Sequence, residues 1–208
     1  MARKAQADVL AEIERARTHG EAPNLRGWNL SVRRLRDIDL TGADLTNANL
    51  HGAQFEKVNL TGATLENADL RKARFGDSTL LNTNFTGTNL EEANLASTTL
   101  TGTNLTNANL TYAWLQGADL RTATLTNTNL HGAEFDSGVW ISATYEPRQL
   151  LTTRGLNPAY TEHGIPQEVW DQILPTNPAA RELLEELLND WDGTLQQAIS
   201  TAELLHTA

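Results

Sequence analysis

Residues 41–50 read TGADLTNANL, two copies of a five-residue unit in which a small residue and an Asn or Asp precede Leu. The unit extends in both directions along the chain. Leu, Phe or Trp stands at every fifth position from Leu25 to Trp140, with 19 Leu, four Phe and one Trp in 24 consecutive positions. A small or β-branched residue, mostly Ala or Thr, stands two positions before most of them. The sequence therefore has a period of five over more than half of its 208 residues.

This period matches neither a regular helix nor a flat strand. A helix turns by about 100° per residue and would distribute every fifth side chain around its circumference. A flat strand would place successive Leu on opposite faces. A coil in which each unit forms one side and then turns a corner brings every Leu to a common axis. Gly42 and Asn47 suit the corners, because Gly and Asn adopt unusual backbone angles at low cost.

On this A-(N/D)-L-x-x pattern, residues 25–140 resemble a pentapeptide-repeat protein. The resemblance implies an all-β, right-handed quadrilateral β-solenoid with four pentapeptides per coil. About six coils would form a rod on the order of 28 Å long. We expect an N-terminal helical cap and a C-terminal helical appendage on this solenoid.

Side chains from successive coils should stack in columns. Phe55, Phe75 and Phe135 fall in one interior column, and Asn49, Asn89 and Asn109 fall in another, where we expect amides to hydrogen-bond along the rod. Each buried Leu contributes roughly 1.5–3 kcal/mol, so the interior is expected to dominate stability. The predicted core includes Leu45, Leu50, Phe55, Phe75, Phe85, Leu95, Leu105, Leu115 and Phe135.

The flanks divide the chain into three predicted regions: a capping helix in 1–22, the solenoid in 23–145, and an acidic α-helical region in 146–208. A solenoid needs caps because its apolar axis is exposed at each end. The first helix is predicted over residues 3–18, ending at His19-Gly20. Its apolar face contains Ala5, Val9, Ile13 and Ala16. Trp28 and Arg33 occupy slots that elsewhere hold Ala, which predicts a distorted first coil.

Four helices are predicted in the C-terminal region, over 147–153, 166–174, 178–189 and 194–205. The last one has an apolar stripe of Leu195, Ala198, Ile199, Ala202 and Leu205. This stripe either packs against the same chain or forms a homodimer, so we expect a monomer or a C-terminally mediated homodimer.

Charge is distributed unevenly. The formal net charge is -10, of which residues 24–140 carry nine basic and 12 acidic side chains and residues 141–208 carry three and ten. An acidic balance disfavours direct binding to nucleic acid or to an anionic membrane. There is no apolar run of the roughly 18 residues that a membrane span requires, and residues 1–14 carry charge where a secretory signal would be apolar. We expect a cytoplasmic protein, and the resemblance implies a bacterial one.

No constellation typical of catalysis is found. The chain has no Cys, and its five His are dispersed, with His51 and His131 in one column but four coils apart. Repeated Asp residues occupy the polar slot of the unit without the Gly-rich nonapeptide of a calcium site. We therefore expect no enzyme activity, no metal and no cofactor. An enzymatic alternative would need a site between rod and tail around Tyr160, Glu162 and His163.

Function is therefore expected on the outer faces of the solenoid. One side differs from the others because it carries outward-facing aromatic residues, a type enriched with Arg at binding hot spots. Its candidate partner-binding residues are Arg34, Lys72, Arg74, Glu92, Asn94, Tyr112, Trp114 and Glu134. The alternative is that Tyr112 and Trp114 only cover a neighbouring coil or the helical tail.

The leading hypothesis is a non-enzymatic interaction scaffold that binds a protein partner of unknown identity. The resemblance also implies an alternative, because some members of the family mimic DNA, bind DNA gyrase and protect it from quinolones or a toxin. The basic clusters at 33–36 and 71–74 depart from that negative surface. Ice binding is a third alternative, suggested by the aligned Thr86, Thr106 and Thr126.

Overall fold

The computed structural model describes residues 3–135 and 194–206, together with residues 143, 145, 150, 174, 178, 182 and 184. Helix α1 spans Gln6–His19. Three short parallel strands follow, β1 at Arg34–Arg36, β2 at Gln54–Glu56 and β3 at Arg74–Gly76. Helix α2 spans Leu195–His206.

The repeat region forms a solenoid whose coils pair through parallel backbone contacts. Strands β1, β2 and β3 pair in register, with Leu35 opposite Phe55 and Phe55 opposite Phe75. Isolated bridges continue the same spacing on all four sides, as in Asn24 with Asp44 and Asn29 with Asn49. Each partner lies one coil further along the chain, so four pentapeptides complete one coil.

Each corner is a tight turn that the repeat unit encodes. The N–H of Ala43 donates to the carbonyl of Leu40 at 3.0 Å, and Gly42 at the third turn position has φ of 67°. This is the geometry of a type II turn, which needs a positive φ at that residue. Asn47 and Lys72 occupy equivalent corners with φ of 58° and 60°. The solenoid therefore tolerates side chains other than Gly at its corners, at some cost in backbone strain.

The Asn or Asp before each Leu stabilises the adjacent turn rather than the next coil. Asp39 Oδ1 accepts hydrogen bonds from the N–H of Thr41 at 3.1 Å and from its hydroxyl at 2.6 Å. Asn49, Asn89 and Asn109 likewise accept bonds from the N–H two residues on. Asn109 also donates from Nδ2 to Asn89 Oδ1 at 3.2 Å, one amide contact along the rod. The expected amide ladder is thus mostly replaced by local Asx turns.

The interior is a continuous apolar core on the solenoid axis. All nine predicted core residues are buried, from Leu45 to Phe135. The rings of Phe55 and Phe75 stack with centroids 4.8 Å apart and an interplanar angle of 2°. Where Thr replaces Ala in the small slot, its hydroxyl donates to a backbone carbonyl, as from Thr88 to Leu65 at 2.7 Å. A buried hydroxyl is therefore satisfied without disturbing the core.

Helix α1 lies against the first coil. Its apolar face buries Val9, Ile13 and Ala16, and Gly20 ends it in the left-handed conformation. The N–H of Lys4 donates to the carbonyl of Asn29 at 2.8 Å. These contacts cover backbone groups that the first coil would otherwise expose at its edge.

The first coil is regular, so the expected distortion at Trp28 and Arg33 was wrong. Asn24 and Asn29 pair with the second coil by the same bridges as later coils. Trp28 is half-buried beneath Lys4, whose Nζ lies 4.9 Å from the ring centroid. Arg33 Nε donates to the carbonyl of Lys4 at 3.0 Å. Both large side chains contact the N-terminal segment, so the narrow interior of the coil does not have to accommodate them.

Helix α2 buries four residues of its apolar stripe within the same chain. Leu195, Ala198, Ile199 and Ala202 are buried and belong to one hydrophobic cluster with the solenoid core. A homodimer through this stripe would have to displace those contacts. The other three predicted helices lie outside the described residues, apart from single positions within them.

Candidate partner-binding surface

One backbone ladder and the corner beside it place all eight candidate residues on one side of the solenoid. Bridges connect Arg34 to Gln54, Gln54 to Arg74, Arg74 to Asn94, Asn94 to Trp114, and Trp114 to Glu134 in successive coils. The corner beside this ladder contains Lys72, Glu92 and Tyr112. We call this side the aromatic face and define it by Val32, Arg34, Gly52, Gln54, Lys72, Arg74, Glu92, Asn94, Tyr112, Trp114, Gly132 and Glu134.

A pocket opens on the aromatic face. It has a volume of about 190 Å³ and is lined by Lys72, Arg74, Glu92, Asn94 and Trp114. All five are candidate residues, and they come from three successive coils. Trp114 is 50% exposed, so a partner that covers its indole ring would remove a large apolar area from water. The pocket therefore combines a rigid aromatic wall with charged groups of both signs.

The charges in this pocket are not all paired. Lys72 Nζ lies 3.4 Å from Glu92 Oε2, an exposed ion pair of the kind worth about 0.2–1 kcal/mol. Arg74 is exposed and forms no ion pair with another described residue. Its guanidinium is available to bind a carboxylate in bidentate geometry. The pocket thus has a net positive charge beside the Trp114 ring.

Tyr112 has a different role from Trp114. It is 46% exposed, but its ring lies directly over Gly132 in the next coil, where a Cβ would clash with it. The ring also meets the His131 imidazole edge-on at a centroid distance of 5.5 Å, and its hydroxyl lies 3.5 Å from His131 Nε2. The alternative of a covering role therefore describes Tyr112, whereas Trp114 lines the pocket.

Val32 belongs to the aromatic face but was not among the candidate residues. It is 55% exposed and has φ of 50°, an unusual value for a β-branched residue. Its position follows from the coil register, because Val32 stands two coils before Lys72 in the corner column. The register of the repeat was the signal that could have identified it.

Elsewhere on the solenoid, many charges are already neutralised within the chain. Arg36 Nη2 lies 2.6 Å from Glu56 Oε2, Arg71 Nη2 lies 2.7 Å from Asp69 Oδ2, and Arg121 Nη2 lies 2.6 Å from Asp119 Oδ2. Hydrogen bonds from Arg71 and Arg121 hold the pKa of Asp69 and of Asp119 below the ordinary range. These arginines contribute less positive charge to the surface than their number implies.

Two further observations bear on chemistry. Within residues 3–135 and 194–206 and the isolated described positions, no group of three or more His, Asp or Glu side chains is arranged to hold a metal ion. None of the helices in the described part of the chain has the length and apolar composition that a membrane-spanning helix requires. Tyr160, Glu162 and His163, the residues of the enzymatic alternative, lie outside the described residues.

Comparison with solved structures returns other solenoids of this type. The chain is similar to Rfr23, a pentapeptide repeat protein from the cyanobacterium Cyanothece 51142, with 26% identity over 68% of this chain and 100% of that chain and a TM-score of 0.35. It is similar to QnrB1, a plasmid-mediated fluoroquinolone resistance protein, with 20% identity over 63% of this chain and 60% of that chain and a TM-score of 0.41.

A third similar structure is a pentapeptide repeat protein from the Arabidopsis thaliana thylakoid lumen, with 24% identity over 65% of this chain and 83% of that chain and a TM-score of 0.34. No curated protein matches by sequence. The family model described as Pentapeptide repeats matches residues 24–62, 38–77, 68–107 and 103–137, which include the described solenoid and make up more than half of the chain. The chain therefore belongs to the pentapeptide-repeat family.

Proposed function

We propose that this protein is a non-enzymatic interaction scaffold that binds a protein partner through the aromatic face. The observation that supports it is the pocket of about 190 Å³ in which Trp114, Arg74 and Asn94 lie side by side on successive coils. Aromatic and Arg side chains contribute most of the binding energy in protein interfaces. A rigid ladder also loses little conformational entropy when it binds.

The pocket favours a partner with an acidic side chain next to an apolar one. Arg74 would bind the carboxylate, and the Trp114 ring would cover the apolar group. Lys72 and Glu92 would keep their ion pair at the rim, where such pairs contribute little affinity. A bidentate contact between Arg and carboxylate fixes geometry as well as energy.

The test is affinity capture with the intact chain and two variants, followed by identification of the retained proteins. Trp114→Ala should abolish retention of the partner. Leu10→Ala is the control, because Leu10 is an apolar residue that is 47% exposed on helix α1 and is not one of the residues of the aromatic face. Retention that survives Trp114→Ala, or that Leu10→Ala removes equally, would contradict the proposal.

Binding to DNA gyrase is the alternative that the same experiment addresses. DNA mimicry requires a continuous negative surface, whereas Lys72, Arg74 and Arg34 carry positive charge on the aromatic face. No described feature favours this alternative over another protein partner. Gyrase subunits among the proteins retained by the intact chain would nevertheless support it.

We also infer the finer architecture from family membership. The solenoid would be right-handed, with about six coils. Helix α1 and the C-terminal region would cap its two ends, in keeping with the need of a solenoid to cover its axis. The region 146–208 would be an acidic helical unit, of which residues 194–206, with α2, and five single positions are described.

A further inference from the structure

The charges on the aromatic face are ordered along the rod. Coils are numbered here by their position on this face, from coil 1 with Val32 and Arg34 to coil 6 with Gly132 and Glu134. Basic side chains occupy coils 1 and 3, at Arg34, Lys72 and Arg74. Acidic side chains occupy coils 4 and 6, at Glu92 and Glu134. The first half of the face is therefore positive and the second half negative.

The exposed apolar side chains are concentrated on the same face. Among the described residues, the exposed large apolar side chains are Leu10, Val32, Tyr112 and Trp114, and three of these four lie on it. Tyr112 and Trp114 lie together in coil 5 and form an apolar cluster of the kind that marks an interaction surface, whereas Val32 is four coils away. Both the charge order and the apolar cluster require an explanation.

We propose that the aromatic face binds a second copy of this chain, with the two rods antiparallel and a two-fold axis between coils 3 and 4. The axis lies in the plane of the interface and is perpendicular to the rods. Each column of side chains on one copy therefore faces the same column on the other copy, with the coils in reversed order. Coil 1 then faces coil 6, coil 2 faces coil 5, and coil 3 faces coil 4. A two-fold interface of this type uses the same patch on both subunits.

The reversed order places four of the five charged residues of the face opposite a charge of the other sign, and the fifth, Arg74, faces the neutral Asn94. Arg34 faces Glu134 of the other copy. The Lys72–Glu92 ion pair of one chain faces the same pair of the other in reversed order, so that Lys72 again lies opposite Glu92. By symmetry each pair occurs twice. A parallel arrangement would instead place coil 3 against coil 3, with Lys72 and Arg74 facing the same residues of the second copy. Like charges in direct opposition are unfavourable, so the face selects the antiparallel orientation.

The bulky residues also find partners across the interface. Tyr112 of coil 5 faces coil 2, where the corner residue is Gly52 and the Val32 side chain of coil 1 lies beside it. Trp114 faces Gln54, which is exposed. Gln54 Oε1 accepts a bond from Arg34 Nε at 3.4 Å in its own chain and has a second lone pair that can accept the indole N–H. Val32 faces Gly132, over which the Tyr112 ring lies. Tyr112 of each copy therefore meets Val32 of the other in an apolar contact.

The interface would be small. The distance from coil 1 to coil 6 is only about 24 Å along the rod, so the two faces would bury less area than the roughly 1,600 Å² of a standard stable interface. We therefore expect a reversible dimer with a Kd of about 100 μM. The dimer would cover the pocket at Trp114, so self-association and partner binding would exclude each other.

The test is sedimentation equilibrium of the full chain from about 10 μM to about 1 mM, a range that brackets the expected Kd. The variants are Arg34→Glu, Glu134→Arg and the double exchange. Each single change places like charges together twice in the dimer and should raise Kd at least tenfold. The double exchange restores opposite charges and should return Kd to within about threefold of the unmodified chain.

Restoration in the double variant can only arise between chains. Arg34 and Glu134 are five coils apart in one chain, too far for direct contact. Glu134 Oε2 accepts a bond from Gln116 at 2.8 Å, so the thermal unfolding of each variant is recorded to exclude loss of fold. A chain that stays monomeric throughout, or a dimer that the double exchange does not restore, overturns the proposal. Partner capture by Trp114 is measured separately, so that failure of the dimer leaves the scaffold function to its own test.

Discussion

At the residue scale, the corner positions show how one turn geometry serves different purposes. Gly62 and Gly132 have the same φ, 65°. A Cβ added to Gly62 would meet nothing within 4 Å, whereas one added to Gly132 would clash with the Tyr112 ring. Gly62 therefore provides only backbone freedom, and Gly132 also provides the surface on which Tyr112 rests.

This difference predicts unequal costs for the same substitution. Gly62→Ala should lower the free energy of unfolding by about 1 kcal/mol, because a non-Gly residue is strained at positive φ. Gly132→Ala should cost about 1–2 kcal/mol more, since it also displaces the ring. Urea unfolding checks both values. In Tyr112→Ala/Gly132→Ala the extra cost should disappear, and its persistence would show that the ring is not its cause.

Substitution of an interior residue should lower the free energy of unfolding much more than substitution of an exposed one. Leu105→Ala removes a fully buried side chain from a narrow core and should lower the free energy of unfolding by about 3 kcal/mol. Leu10→Ala, at an exposed position of helix α1, should change it by less than about 0.5 kcal/mol. Thermal and urea unfolding of the two variants compare these effects. Equal losses would mean that the solenoid interior can collapse around the cavity.

At the scale of elements, helix α1 is fastened to the first coil by a carboxylate. Glu12 Oε1 accepts the N–H of Asn24 at 2.9 Å, and both Glu12 oxygens accept bonds from Arg15 at 2.8 Å. The hydrogen bonds from Arg15, and then that from Asn24, lower the pKa of Glu12 from 4.5 to about 2. Charged Glu12 therefore stabilises the docked helix.

The sign of this shift predicts how acid acts on the helix. A lowered pKa in the folded state contributes stability that is complete above pH 4.5 and is lost as the pH falls towards 2. Hydrogen exchange should show that the protection of α1 falls across this range. Glu12→Gln should lower protection at neutral pH and flatten its pH dependence.

The matched control is Glu14→Gln. Glu14 lies on the same helix but is exposed, with its carboxylate 3.7 Å from Arg17. Its replacement should leave the pH dependence of α1 unchanged. If both variants behave alike, the bond to Asn24 is not what docks the helix.

At the scale of the whole molecule, stability and shape follow from the stacking of equivalent coils. Each coil contacts its neighbours through the same four columns of bridges, and the apolar core runs without interruption through the described solenoid. Repeat proteins of this kind behave as approximately one-dimensional arrays. A whole coil is therefore the natural unit of insertion or deletion.

Deletion of residues 81–100 should preserve the fold, because it removes four complete pentapeptides and joins Leu80 to Thr101 in the original phase. The shortened chain should keep its circular dichroism spectrum and unfold cooperatively at a lower temperature. Deletion of residues 81–93 brings Leu80 and Leu95 out of the five-residue phase and should prevent folding of the coils beyond the junction. Equal stability of both variants would contradict a register based on the repeat.

The sequence by itself determined the solenoid, its interior and the side on which the candidate residues lie. It could do so because Leu45, Leu50 and the equivalent residues are each buried by the same five-residue turn, so the local pattern and the global fold agree. The Asn and Asp before each Leu were recognised as part of the pattern. Their local Asx turns became clear only from the backbone geometry.

Tertiary structure alone decided what the less regular side chains do. Trp28 and Arg33 break the repeat in sequence, yet the N-terminal segment accommodates them without distortion of the coil. Tyr112 and Trp114 occupy equally outward positions, but one rests on a glycine of the next coil and the other lines a pocket. The physical reason is that a repeat specifies where a side chain emerges, whereas its neighbours one coil away, 20 residues distant in sequence, decide whether it is covered or free.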